Sequence, residues 1–304
     1  MRARRAPRPT LRWNARCTPE QIVQRKGAFG LFTFEKRCYD RRRKQPARAP
    51  DERKDVFPMK VIVTKSYDDT CRVIAEMIRD LVNAKPDCKL GLATGGTPVP
   101  IYQKLIEMNK AGEVDFSRVR TVNLDEYCGI PGTHDQSYRY FMDTNLFDHI
   151  NIDKANTFVA AGMGDPEANA AELERMVRAG GSADLQLLGI GNNGHIAFNE
   201  ANDDHLVAVA HTEKLTESTI NANARFFEKK EDVPTMAITM GMGDILAAKK
   251  VVLAATGLAK TDAIRGLVMN DEITTKNPST MLKMHEDAVV VIDQELADAV
   301  GYHG

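Results

Sequence analysis

From Met59 onward, short apolar runs alternate with stretches in which apolar residues recur at the spacing of a helix. The centres of "KKVVLAATG" at residues 249–257 and "DAVVVID" at 287–293 are continuously apolar, not apolar at every second position. Continuous apolarity indicates strands that are covered on both faces, as parallel strands between two layers of helices are. The alternation predicts a three-layer α/β/α fold, a Rossmann-like single domain with a mostly parallel sheet, over residues 59–304.

The same patterns place individual elements. Ser66, with Asp69 three residues later, is typical of a helix N-cap, and helical spacing continues from there through Val82. Further helices are predicted at 98–112 and 164–181, and strands at 60–64, 88–96, 120–127, 183–191, 235–241, 249–257 and 287–293.

Residues 1–58 differ from the rest of the chain in charge. They contain 17 Lys and Arg against 6 Asp and Glu, whereas the remaining residues contain 24 basic and 36 acidic side chains. A basic segment can be a nucleic-acid-binding arm or a transit peptide, but a transit peptide is rich in serine and poor in acidic residues, unlike this one. Since no apolar periodicity runs through it, we expect a disordered or artefactual extension that the domain does not need.

The composition favours a soluble globular protein of the reducing cytoplasm. Hydrophobic residues make up 43% and charged residues 27% of the chain, which is ordinary for a globular protein. No apolar run approaches the roughly 18 residues that a membrane span needs. The five cysteines form no CxxC pair, which argues against a disulfide framework and a zinc site. We expect no membrane or nucleic-acid partner, and either a monomer or a homo-oligomer.

Chemically distinctive residues end four of the predicted strands. Glycine-rich turns end the strands at 88–96, 183–191 and 249–257, and Asp125 and Glu126 close the strand at 120–127. Because ligands bind at the carboxyl ends of strands in open parallel sheets, we expect these ends to meet at one crevice.

The turn "ATGGTP" at residues 93–98 offers backbone N–H groups at a helix start, where they can bind a phosphate. Its candidate binding residues are Thr94, Gly95, Gly96 and Thr97. It is neither a P-loop nor a GxGxxG fingerprint, and a tight strand-to-helix turn is the alternative interpretation.

The stretch "GIGNNGHIAFNE" at residues 189–200 contains GxGxxG, but no acidic residue closes a strand about 20 residues later, as a dinucleotide site requires. His195 instead stands at the strand end, where a side chain that titrates near neutrality can do acid-base work. A structural histidine is the alternative. Glu200 strengthens the catalytic interpretation, because a carboxylate can fix a histidine's tautomer and raise its basicity.

Three further side chains are candidates. Partial burial would raise the pKa of Asp125 toward that of a useful general base, although a loop or N-cap carboxylate is an equal alternative. Arg225 and Lys260 suit a phosphate, or are solvated surface charges. Together the residues predict an enzyme without metal or cofactor that moves protons beside the carbonyl of a small phosphorylated substrate.

Six motifs in this order resemble the glucosamine-6-phosphate deaminase family: "LATGGTPVPIYQKL", "VNLDEYCGI", "SYRYFMDTNLFDHINI", "LLGIGNNGHIAFNE", "NARFF" and "TGLAK". The resemblance covers essentially all of residues 59–304 and none of 1–58. It implies the conversion of D-glucosamine 6-phosphate and water to D-fructose 6-phosphate and ammonia, a hydrolytic deamination with internal isomerisation in amino-sugar catabolism.

The resemblance also implies a role for each candidate. Asp125 would move a proton between C2 and C1 through an enolamine, and His195 would open the pyranose ring with Glu200 orienting and charging it. The turn at 94–97, with Arg225 and Lys260, would hold the substrate phosphate.

The chain departs from the family in two places. Asn193, a further catalytic candidate, stands where many members have Asp, so it can hydrogen-bond but adds no charge. After Glu200 the sequence "ANDDHLVAVAHTEKL" replaces the usual stretch rich in Ser, Arg and Lys, so we expect no activation by N-acetylglucosamine 6-phosphate.

Two alternatives share the implied fold. A 6-phosphogluconolactonase would be expected to read like "DGHTASLFP", which "NGHIAFNE" does not. A non-catalytic sugar-phosphate regulator usually carries a helix-turn-helix, and residues 1–58 show no such two-helix pattern.

Overall fold

The computed structural model describes residues 59–303. The extension predicted at residues 1–58 lies outside the described residues. The elements of the described part follow in chain order: β1 (Lys60–Thr64), α1 (Tyr67–Ala84), β2 (Lys89–Leu92), α2 (Val99–Lys110), β3 (Arg120–Asn123), β4 (Asp125–Tyr127), α3 (Tyr138–Asn145), β5 (Thr157–Phe158), α4 (Pro166–Arg178), β6 (Leu185–Leu188), β7 (His211–Lys214), α5 (Glu217–Asn223), β8 (Met236–Thr239), α6 (Met242–Leu246), β9 (Val251–Ala255), α7 (Thr261–Val268), β10 (Ala288–Asp293) and α8 (Gln294–Val300).

Seven strands form a parallel sheet in the order β1-β10-β9-β6-β2-β3-β5. Every residue of β9 and β10 is buried, as their continuous apolarity predicted. The chain runs from β1 to β2 in one direction along the sheet and from β9 to β10 in the other. Right-handed crossovers therefore place α1 and α7 on opposite faces, where α1 packs against α2 and α7 packs against α8. The predicted three-layer α/β/α fold is confirmed.

The first helix begins as predicted. The side chain of Ser66 accepts a hydrogen bond from the backbone N–H of Asp69 at 3.1 Å. One of the four N–H groups that a helix start leaves unpaired is thereby satisfied.

The single strand predicted over 120–127 is in fact two strands in two sheets. β3 pairs in parallel with β2, whereas β4 pairs antiparallel with β8 in a small sheet of order β4-β8-β7. The change occurs at Leu124, whose N–H donates to Leu92 of the large sheet and whose carbonyl accepts from Met240 beyond β8. The strand predicted at 235–241 belongs to this small sheet, since an apolar run alone does not reveal which neighbour it pairs with.

None of the helices between residues 59 and 303 is long and apolar enough to cross a membrane.

Candidate active site

The sheet order creates a crevice between β2 and β6. The chain leaves β2 toward β3 and leaves β6 toward β9, so the loops after these two neighbouring strands diverge. Ligands of open α/β sheets bind at such a reversal, outside the carboxyl ends of the strands. A cavity of about 460 Å³ opens there.

Nine of the ten residues predicted from the sequence line this cavity: Thr94, Gly95, Gly96, Thr97, Asp125, Asn193, His195, Arg225 and Lys260. Glu200, the tenth, is not among the lining residues. It lies behind His195 and lines a smaller neighbouring cavity of about 290 Å³.

The turn after β2 presents free backbone donors. Within residues 59–303, the N–H groups of Gly95, Gly96 and Thr97 donate no hydrogen bond. Gly95 has a φ of +96°, which a side chain would make unfavourable. From the start of α1, the hydroxyl of Tyr67 donates to the carbonyl of Thr97 at 3.1 Å and fixes the far side of the turn. The geometry suits the backbone binding of an anion.

Two cations line the same cavity. Within residues 59–303, Arg225 and Lys260 form no ion pair with a carboxylate, and the Arg225 guanidinium carbon lies 4.7 Å from the centre of the Phe226 ring. Burial, and next the positive charge of Arg225, lower the pKa of Lys260. An anion placed between the two cations would relieve this repulsion.

Asp125 supplies a carboxyl group of unusual basicity. It begins β4 and is only 6% exposed. Burial, and next the negative charge of Glu126, raise its pKa from 3.8 to about 8. The group is therefore mostly protonated below about pH 8, and its carboxylate form is a stronger base than an ordinary carboxylate.

The neighbouring Glu126 has a structural role. Its buried carboxylate accepts hydrogen bonds from the backbone N–H groups of Tyr127, Tyr138 and Arg139 at 2.9, 2.9 and 3.0 Å. Burial raises the pKa of Glu126, and these three N–H donors lower it in part. The bonds hold the first turn of α3 against β4, which places Tyr138 beside the cavity.

Sequence reasoning missed Tyr138 as a cavity residue. Its ring lies nearly parallel to that of Phe198, with the centroids 6.0 Å apart, and it lines the cavity together with Asn223. The available signal was the Ser137 N-cap before an aromatic residue, but a cap does not indicate which side of the helix faces a ligand.

The loop after β6 is shaped around His195. A Cβ on Gly191 would overlap the imidazole, so only glycine leaves room for the ring at this position. The side-chain oxygen of Asn193 accepts from the backbone N–H of His195 at 3.3 Å, and the carbonyl of His195 accepts from the N–H of Gly191 at 2.9 Å. The backbone of His195 is therefore held at the strand end by its own loop.

His195 and Glu200 lie side by side without a hydrogen bond between them. His195 Nδ1 lies 3.7 Å from Glu200 Oε2, which is too far for a hydrogen bond. Burial lowers the pKa of His195, Glu200 raises it in opposition, and Lys260 lowers it further. The net shift is downward, so the histidine is less basic than an exposed one despite the carboxylate beside it.

In the described part of the chain, no three His, Cys, Asp or Glu side chains are grouped so that they could hold a metal ion.

Comparisons with known proteins agree on one family. The family described as glucosamine-6-phosphate isomerases/6-phosphogluconolactonase matches residues 64–291. A glucosamine-6-phosphate deaminase from Clostridium beijerinckii is 50% identical over 243 residues, which are 80% of this chain and 100% of that protein. A protein of the same name from Shewanella woodyi is 48% identical over 79% of this chain and 90% of its own length.

Solved structures give the same result. A monomeric glucosamine-6-phosphate deaminase superimposes with a TM-score of 0.76 at 38% identity, covering 79% of this chain and 100% of its own. A 6-phosphogluconolactonase from Thermotoga maritima reaches 0.61 at 20% identity, over 77% of this chain and 99% of its own, which shows a shared fold alone.

Proposed function

The chain belongs to the glucosamine-6-phosphate isomerase and 6-phosphogluconolactonase family, and we propose that the cavity between β2 and β6 is its active site. Like the deaminases that it resembles, it converts D-glucosamine 6-phosphate and water to D-fructose 6-phosphate and ammonia. One observation supports this site above all: the cavity joins a buried carboxyl group of raised pKa to two cations that form no ion pair within residues 59–303.

The two cations and the turn after β2 bind the substrate phosphate in this proposal. The free N–H groups of residues 95–97 donate to its oxygens, while Arg225 and Lys260 neutralise its charge. A phosphate held there anchors one end of the sugar, so that its other end reaches toward Asp125 and His195.

His195 opens the pyranose ring. It takes the proton of the C1 hydroxyl and returns a proton to the ring oxygen as the bond between C1 and that oxygen breaks. The lowered pKa of His195 keeps the imidazole neutral near pH 7, so that it can accept this proton. Glu200, 3.7 Å away, stabilises the imidazolium that forms.

Asp125 then acts on the open-chain sugar. Its carboxylate removes the proton from C2 while the C1 carbonyl oxygen takes a proton from water, which gives an enolamine. The carboxyl group then delivers its proton to C1 while the nitrogen releases one to water. The resulting imine at C2 is hydrolysed by water, which releases ammonia and leaves D-fructose 6-phosphate. A pKa of about 8 makes Asp125 a stronger base than an ordinary carboxylate, as removal of a proton from carbon requires.

We place this reaction in the cytoplasm, with the sugar phosphate as the partner of the chain and no role for nucleic acid. Fractionation of cells that express the chain at its natural level tests the location, with recovery in the membrane pellet as the contrary result.

The purified full chain tests the proposed function directly. With D-glucosamine 6-phosphate we expect ammonia and D-fructose 6-phosphate in equal amounts, measured by separate coupled assays. Hydrolysis of 6-phosphogluconolactone should stay at the uncatalysed rate. Lactone hydrolysis without ammonia release would overturn the proposal in favour of a lactonase, and binding of the sugar phosphate without turnover would favour a regulator.

A further inference from the structure

The carboxylate of Glu200 is held by one side chain. Glu200 is 5% exposed, and its Oε2 forms no hydrogen bond within residues 59–303. Its Oε1 accepts from the hydroxyl of Thr219 and, at 3.5 Å, from the backbone N–H of Thr216. The bond to Thr219 therefore determines how the carboxylate is rotated.

A second hydroxyl directs the Thr219 proton toward Glu200. Thr216 is the N-cap of α5, and its side chain accepts from the N–H of Thr219 at 3.2 Å. The Thr216 hydroxyl also donates to the Thr219 hydroxyl oxygen at 3.2 Å. Because a hydroxyl has a single proton, Thr219 is left to donate to Glu200.

This pair of hydroxyls belongs to the segment that also contributes to the cavity. Thr219 is 4% exposed and lines the cavity, as do Asn223 near the end of α5 and Arg225 just beyond it. The first turn of α5 thus contacts Glu200, and the residues after its last turn face the cavity.

We propose that Thr219 is a positioning residue for ring opening: its hydroxyl holds Glu200 so that Oε2 faces His195. The proposal rests on the proposed function, in which His195 and Glu200 open the sugar. The charged neighbours of His195 are Glu200 and Lys260, which act on its protonation in opposite directions. Without the Thr219 hydroxyl, Glu200 can turn away and leave the effect of Lys260 unopposed.

The test compares Thr219→Val, which keeps the side-chain shape, with Thr219→Ser, which keeps the hydroxyl. For Thr219→Val we expect kcat to fall about 10-fold, since a hydrogen bond to a charged group is lost, with KM changed less than about three-fold because no phosphate contact changes. Thr219→Ser should restore kcat to within about two-fold of wild type.

Thr212→Val is the matched control. It removes a hydroxyl that donates to Glu167 on the surface, at 2.6 Å, and should leave kcat and KM unchanged. The Thr219→Val change should also have no further effect on kcat in Glu200→Gln, because there is then no carboxylate to position.

Titration of His195 by NMR in the ligand-free protein separates this proposal from the proposed function. In Thr219→Val the titration of His195 should move to lower pH, and in Thr219→Ser it should match wild type.

A wild-type kcat and titration in folded Thr219→Val would overturn the positioning role. If Thr219→Val does not fold, a lowered kcat and a shifted titration in Thr219→Ser would overturn it, because the hydroxyl would then not suffice. A protein that releases no ammonia but shows the shift would instead overturn only the proposed function.

Discussion

In the proposed function the cavity has a chemical end and a phosphate end, and these two ends differ in physical character. At the proposed chemical end, defined by Asp125 and His195 with Glu200 behind the histidine, burial raises the pKa of Asp125 and lowers that of His195. At the proposed phosphate end, defined by residues 94–97 with Arg225 and Lys260, backbone donors and positive charges have no protein partners among residues 59–303. One end changes how tightly protons are held, and the other attracts an anion.

The difference predicts a division of kinetic effects. An interaction with the phosphate exists in the ground state and in the transition state alike, so its loss raises KM with little change in kcat. A proton-transferring group acts in the transition state, so its loss lowers kcat. Each of the following changes is directed at one end, although Lys260 also acts on the pKa of His195.

A large effect is expected at the chemical end. His195→Asn removes the group that moves the ring-opening proton, so kcat should fall by about 10²-fold or more, with KM nearly unchanged. Steady-state ammonia release measures both values. His149→Asn, which changes an exposed histidine bonded to the carbonyl of Thr144, is the control. A rise in KM without a fall in kcat would place His195 with the phosphate.

At the phosphate end, Arg225→Ala and Lys260→Ala should each raise KM about 10- to 100-fold through loss of a charge-assisted hydrogen bond. Inorganic phosphate should also compete more weakly in both variants. Lys229→Ala, an exposed change on the same segment as Arg225, should leave KM as it is. Wild-type KM values in both variants would make Arg225 and Lys260 ordinary surface charges.

The raised pKa of Asp125 also predicts a change in stability with pH. The folded protein holds a proton up to about pH 8 that the unfolded chain releases near pH 4. The stabilising contribution of protonated Asp125 is therefore complete below about pH 4 and is lost as the pH rises to about 8. Because Asn carries no charge, Asp125→Asn does not undergo this loss. Its unfolding free energy minus that of wild type should therefore rise by up to about 1.4 kcal/mol for each pH unit in this range.

Urea unfolding of Asp125→Asn and wild type at several pH values checks this difference. Two curves that stay parallel from pH 4 to 8 would show that the pKa of Asp125 is ordinary.

A smaller effect is expected at Asn193. In Asn193→Asp the side chain can still accept from the backbone N–H of His195, and its negative charge would raise the pKa of that histidine. The NMR titration of His195 should move to higher pH, with kcat changed less than roughly five-fold. An unmoved titration would mean that residue 193 does not act on the histidine electrostatically.

The smallest expected effect is that of N-acetylglucosamine 6-phosphate, which should not activate the enzyme. Residues 201–210 contain no Lys or Arg, and Asp203 already pairs with Lys276 at 2.7 Å. A phosphate would meet repulsion there, and coupling needs a site that favours one of two states. Rate curves should be hyperbolic with and without the effector. If the rate curve is sigmoidal and the effector makes it hyperbolic, the effector binds at a cationic pocket elsewhere in the protein.

The sequence predicted that residues 94–97, Asp125, Asn193 and His195 would meet at one crevice, because strand ends and glycine turns are local patterns. The sequence did not predict the distances between these side chains. The 3.7 Å gap between His195 and Glu200 and the downward pKa shift of His195 arise from packing across distant segments. The break at Leu124 was missed for the same reason: β8, more than 100 residues away, takes over the pairing there.

The separation of binding from turnover in Asp125→Asn tests the central claim most directly. We expect ammonia release to fall by about 10²- to 10⁴-fold, as for the loss of a positioned general base. Calorimetry should show D-glucosamine 6-phosphate bound to this variant with an affinity within about three-fold of wild type, because the phosphate end is unchanged. Wild-type turnover in this variant, or loss of binding together with turnover, would contradict the division of the cavity into a chemical end and a phosphate end.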